Sequence, residues 1–337
     1  MPPVPIPRGE LSDAVLTALR RPAHALAAPA PVAPADALRD EDLQLALYVM
    51  YELHYRGLDG VDEGWEWEPS LLALRREVER VFTEALFALA GEPEREDVVP
   101  EEMDVALRAI AEADDGPSLS TYLERRGTLD QVLEFVVHRS AYQLKEADPH
   151  AWAIPRLTGQ AKAAIVEIEA DEFGGGRADR IHARLFADAM DELGLDPSYG
   201  AYVDRIPALT LATVNLMSML GLHRRWRGAI VGHLALFEMT SSLPNRRYGN
   251  ALRRLGFGER ATAFFDEHVE ADAVHEAIAA VDLAGGFVRA EPALTGDVLW
   301  GARALAAIEA EWARSLLAAW DAGRPSLLAP LGEAAPA

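Results

Sequence analysis

The stretch LDQVLEFVVHRSAYQLKEA at residues 129–147 sets the reading of the whole chain. Leu129, Val132, Leu133, Val136 and Val137 recur at intervals of three and four, the spacing that lines one face of an α-helix. Thr128 stands at the position of an N-cap. Asp148-Pro149 closes the run, because a residue before proline is pushed out of the α region. The same periodicity continues on both sides. Upstream it predicts helices over 42–56, 70–90, 101–113 and 118–126. Downstream it predicts them over 155–172, 178–193, 206–220, 224–240, 246–255, 259–283 and 292–322. The triglycine Gly174–Gly176 reads as a break between two helices. The predicted architecture is all-α, with a multi-helix bundle over 129–323 and a helical lead-in over 41–128. A Pro/Ala-rich, flexible tail over 1–40 precedes it, and a fraying tail over 324–337 follows.

Composition narrows the functional classes. The 337 residues are 50% apolar, enough for a sizeable core, and contain no cysteine. A disulfide framework, a Cys-zinc site, a Cys-ligated iron–sulfur cluster and a thiol nucleophile are thereby excluded. The net charge of -22 repels phosphate backbones and anionic lipid, so neither nucleic acid nor a membrane surface is an expected partner. No apolar run reaches the roughly 18 residues that a membrane span needs. The expectation is a soluble cytoplasmic protein.

The strongest chemical signal is FFDEHVEADAVHEAIA at 264–279, which carries His268, Asp272 and His275 as His-x3-Asp-x2-His. At about 100° per residue the three project within roughly 60° of one another. Two imidazoles and a carboxylate on one stripe suit a first-row metal with mixed N/O ligands, iron or manganese foremost. Such a face needs partners on other helices. Glu146 sits at the end of the run 129–147, where the helix macrodipole disfavours an acid without a specific partner. Glu238 lies among Leu236, Phe237 and Met239, an apolar setting in which a carboxylate needs a partner; Arg246 or Arg247 is the alternative to a metal. His182 lies among Ile181, Leu185 and Phe186, and Glu172 precedes it across the triglycine. Asp179, three residues before His182, competes with Glu172 for the same role. On an unbroken helix Asp179 shares the His182 face, but left-handed glycines could turn Glu172 back toward it. Glu146, Glu172, His182, Glu238, His268, Asp272 and His275 together supply four carboxylates and three neutral imidazoles. That charge balances two divalent ions.

These residues, in this order, resemble the heme-oxygenase-like diiron oxidases and oxygenases, a group described as iron-containing redox enzymes. The resemblance runs from about 129 to 283. It rests on the first-helix Glu146, the pair Glu172 and His182, the mid-domain Glu238 and the motif His268, Asp272 and His275. It implies a heme-oxygenase-like helical fold and two iron ions per chain held by those seven side chains. It also implies dioxygen as co-substrate and oxidation of a small organic molecule, amino-acid-derived or fatty-acid-like. An external electron donor would supply electrons, and a homodimer is compatible with the group. A heme-binding protein of the same fold and a helical interaction protein are the alternatives. The lead-in 41–128 lies outside that resemblance and carries no motif assigned to a family. Within it Glu52 and His54, two residues apart, point to different sides of a helix. Trp65 and Trp67 read as packing or loop anchors, and Arg246 and Arg247 as partners of surface acids.

Overall fold

The computed structural model describes residues 1–27 and 34–332, except for the side chains of residues 270–274. Among the described residues there is no strand. The lead-in is built from α1 (Glu10–Leu19), α2 (Glu41–Glu52), α3 (Pro69–Ala90), α4 (Met103–Ala113) and α5 (Leu119–Arg126). The body follows with α6 (Leu129–Gln143), α7 (Asp148–Ala151), α8 (Gly159–Glu172), α9 (His182–Glu192) and α10 (Ala208–Leu222). It closes with α11 (Arg227–Arg254), α12 (Glu259–Ala277), α13 (Gly286–Ala290) and α14 (Thr295–Asp321). No described helix is long and apolar enough to cross a membrane.

Helix α10 is buried nearly all round, as its uninterrupted apolar sequence requires of a central helix. Helix α11 packs on α12 and α14. Its crossing with α14 brings the two backbones into contact. A Cβ added to Gly232 would lie 1.7 Å from the Val298 carbonyl oxygen, and one on Gly301 would lie 1.9 Å from that of Ala229. At these two positions only glycine permits the approach. Helix α6 starts in a reciprocal cap: Thr128 Oγ1 accepts from the Gln131 amide, and Gln131 Oε1 accepts from the Thr128 amide.

Four departures from the sequence reading have a clear physical reason. Helix α6 stops at Gln143, and residues 144–147 form a turn in which Ala147 adopts φ 74°. Pro149 does not simply end a helix; it sits in the first turn of α7, where its missing N–H is not needed. Helix α11 runs through Pro244 as one helix where two were expected. Its halves are held by packing, while Thr240 Oγ1 donates to the Leu236 carbonyl and Ser241 Oγ to that of Phe237. The helix expected to end at Leu283 instead changes pitch to a π-helix over Ile278–Gly285 and continues as α13. Such π segments recur at functional sites, and this one begins three residues after His275.

The described parts of both terminal stretches are tied to the body. In α1, Val15, Leu16 and Leu19 are buried against α2. Asp42 caps α1 from that neighbouring helix, accepting from the Leu11 and Ser12 amides at 2.8 and 2.6 Å. Near the other end, the Ser326 amide and hydroxyl both donate to Glu134 Oε2, and Leu327 is buried.

Candidate metal centre

Glu146 leaves the turn after α6, Glu172 ends α8, His182 opens α9, Glu238 lies midway along α11, and His268 and His275 lie on α12. All six are buried. Their ligand atoms fall into two groups, each within 4.8 Å: Glu146, Glu172, His182 and His268 in one, Glu172, Glu238 and His275 in the other. Glu172 belongs to both. The backbone of Asp272 is part of α12, but its side chain lies outside the described residues.

The triglycine explains how Glu172 reaches His182. Gly174, Gly175 and Gly176 take φ of 70°, 59° and 80°, the left-handed region that glycine enters without strain. The chain therefore reverses between α8 and α9. Glu172 Oε2 comes to 2.8 Å from His182 Nδ1, whereas Asp179 is exposed. Of the two competing carboxylates, the structure brings Glu172 into the cluster.

The imidazoles are oriented by what their other nitrogen does. His268 Nδ1 donates to the Phe264 carbonyl at 2.7 Å, which leaves Nε2 as the lone-pair nitrogen, 3.5 Å from Glu146 Oε1. His275 Nε2 lies 3.1 Å from Asp171 Oδ2, and its Nδ1 lies 3.3 Å from Glu238 Oε2. An imidazole N–H held by a carbonyl or carboxylate while the other nitrogen faces a cluster is the usual arrangement of a metal-ligating histidine. Burial works against charge on His275, but Glu238, Asp171 and Glu172 raise its pKa to about 9.

Hydrogen bonding leaves a deficit that a cation would fill. Among the described residues, Glu146 Oε2, Glu172 Oε2, His182 Nδ1 and both carboxylate oxygens of Glu169 are buried with no hydrogen-bond partner. Glu172 Oε2 and His182 Nδ1 are close but not aligned as donor and acceptor, which is how two ligands of one ion approach each other. Such orphaned groups are rare in proteins and mark a missing partner. Burial pushes the Glu146 and Glu238 carboxyls above their ordinary range. Burial also pushes Glu172 up, but His182, His268 and His275 overcome it and hold Glu172 below that range. The donor set of carboxylates and imidazoles, without sulfur, fits iron.

Two functional candidates escaped the sequence reading. Glu169, one turn before Glu172, is 3% exposed and lines the same small cavity as Glu146, Glu172, Glu238 and His268. Burial, then the neighbouring Glu172 and Glu238 charges, push its carboxyl well above the ordinary range. Its signal was the Glu169–Glu172 spacing of one helical turn. Asp171, the partner of His275, carried no comparable signal in the sequence.

The remaining titratable groups find other partners. Glu238 faces His275 rather than Arg246 or Arg247, and Arg247 reaches the Ser118 and Ser120 hydroxyls. His138 bonds Thr210 and Ser326, His150 bonds His233, and His223 bonds Glu79. Glu52 pairs with Lys145, and His54 lies between Glu66 and Arg75. Trp65 is fully buried with its N–H on the Arg21 carbonyl, while Trp67 is exposed.

A cavity of about 320 Å³ reaches the cluster, with Glu146 and His268 in its lining. Phe135, Phe186, Phe264 and Trp312 make its wall apolar and aromatic, and Ser118, Ser120, Thr240 and Asn245 add polar groups. Arg139 also lines it, but Glu309 already engages both terminal guanidinium nitrogens at 2.9 and 2.6 Å.

A search of curated proteins gave no match. The stretch 133–310, more than half of the chain, matches the family of iron-containing redox enzymes, and the chain belongs to that family, with its heme-oxygenase-like helical fold.

Proposed function

We propose that the protein is a non-heme diiron oxidase or oxygenase that uses dioxygen to oxidise a small organic substrate. The observation that carries this reading is the position of Glu172 in both ligand groups. A carboxylate shared by two ligand groups could serve two ions at once. Glu146, His182 and His268 would complete one side, and Glu238 and His275 the other, with Asp272 as the further acid of the motif. Two Fe(II) ions held there would supply electrons for reducing dioxygen. The chain's own contribution is to exclude bulk water, hold the imidazoles by Phe264 and Asp171, and seat the substrate in the aromatic cavity. That cavity suits a largely apolar body, as in an amino-acid-derived or fatty-acid-like molecule. An external donor would return the electrons that substrate does not provide.

The test is metal analysis after anaerobic Fe(II) loading, followed by mixing with oxygenated buffer. The reading requires about two irons per chain and a change in the visible spectrum on oxygen addition. A Soret band in protein grown with heme would favour a heme binder of the same fold, and absence of bound metal would favour a helical interaction protein.

A further inference from the structure

The turn that carries Glu146 is held from the far side by the lead-in. Helix α6 has ended by Gln143, so residue 146 is not fixed by helical hydrogen bonding. Successive residues of this turn face opposite ways. Glu146 reaches His268, while Lys145 reaches Glu52 at the end of α2, Nζ to Oε2 at 3.1 Å. Lys145 is 1% exposed and Glu52 is 0% exposed. The Lys145 ammonium sits over the Tyr55 ring at 4.1 Å and the Tyr48 ring at 5.2 Å. Tyr199 donates its hydroxyl to the same Glu52 oxygen at 2.7 Å. The next residue back is held as well, since Arg56 Nη2 donates to the Leu144 carbonyl at 2.9 Å. Arg56 is itself stacked on Tyr199, 4.1 Å from the ring centre.

A buried ion pair is poor evidence for stability, because desolvation offsets the attraction, and its best-attested use is to fix one arrangement. Here it fixes a turn with a left-handed Ala147, a conformation that alanine rarely adopts. We infer that residues 41–56, outside the stretch that matches the family, are part of the metal centre: Glu52 and Arg56 are positioning residues that hold Glu146 in place through Lys145 and Leu144. The inference rests on Glu146 being a ligand, as proposed above. It gives the lead-in a role that the motif-bearing segment cannot supply for itself.

Two measurements test it, one of them independent of iron. In the metal-free protein, Lys145→Met and Arg56→Met should speed hydrogen exchange at the amides of Lys145 and Asp148, which close this turn, by ten-fold or more. Leu86→Ala, a core truncation in α3, should not speed them beyond its global destabilisation. Without metal, the double variant Glu52→Gln/Lys145→Met leaves no buried charge unpaired and should melt close to the metal-free parent. It should still bind the ion of the Glu146 group at least ten-fold more weakly. Unchanged exchange at the turn amides overturns the inference whatever iron does. So does a double variant that regains stability and full iron affinity together, because the pair would then serve packing alone. Failure of the parent to bind iron, with the turn amides responding as expected, would instead remove the ligand reading and leave the clamp.

Discussion

Iron should raise the melting temperature in two separable parts, and the shared position of Glu172 says which variants remove which part. A ligand at about 100 times its dissociation constant stabilises the folded state by about 2.7 kcal/mol, so two independent ions give about 5.4 kcal/mol. Unfolding entropy near 2.1 cal/mol/K per residue gives about 0.7 kcal/mol/K for 337 residues. The parent should therefore melt about 8 °C higher with both ions bound. His275 belongs to one group only, so His275→Ala should keep about one iron and about half of that rise. Glu172→Ala touches both groups and should fall below both figures. Asp179→Ala, on an exposed side chain, should behave as the parent. The assay is anaerobic thermal unfolding with and without Fe(II), with iron measured on the same samples and the metal-free melt of each variant as its own reference. Equal loss from Glu172→Ala and Asp179→Ala would refute the assignment. Retention of two irons by Glu172→Ala would refute the shared position.

Three further outcomes follow from particular contacts. Asp171→Ala releases His275 Nε2 and should weaken binding of the ion in the Glu238 group by about 10–100-fold, read by iron titration. Gly232→Ala places a methyl against the Val298 carbonyl and should destabilise by about 1–3 kcal/mol, measured by urea unfolding of the metal-free protein. The third outcome concerns pH. The folded-state pKa of Glu169 lies above its unfolded value, so between the two the folded chain holds a proton that the unfolded chain has lost. Stability of the metal-free protein is then lost as pH rises above about 4.3, the unfolded glutamate value, by up to about 1.4 kcal/mol per pH unit for this one group. Glu169→Gln should remove that contribution to the slope, seen as a smaller loss between pH 5 and 7 than in the parent. Identical slopes would show that Glu169 is not held protonated.

What was legible in the sequence was whatever a single helix expresses by itself. The face of α6 and the common stripe of His268 and His275 follow from a period of 3.6 residues, and the Thr128 cap from a hydroxyl side chain just before the helix; no other part of the chain is needed to read them. Features made by contact between distant segments were not legible in this way. Asp42 caps a helix some thirty residues before it, so α1 looked like part of a tail. The helices α12 and α14 packed along α11 past Pro244 come from distant parts of the sequence, so this stretch read as two helices. The choice between Glu172 and Asp179 shows the limit most clearly. Helical spacing favoured Asp179, and only the three left-handed glycines in succession bring Glu172 back to His182. A periodic pattern has no term for such a reversal. The same reason hid Asp171, whose value lies wholly in reaching a histidine on α12, and it hid the turn at 144–147. There Glu146 was legible as an acid at a helix end, while the buried pair behind it joins residues 93 positions apart. The residues proposed to face the metals thus advertise themselves by chemistry and order, whereas those proposed to hold them in place are recognisable only by what they touch.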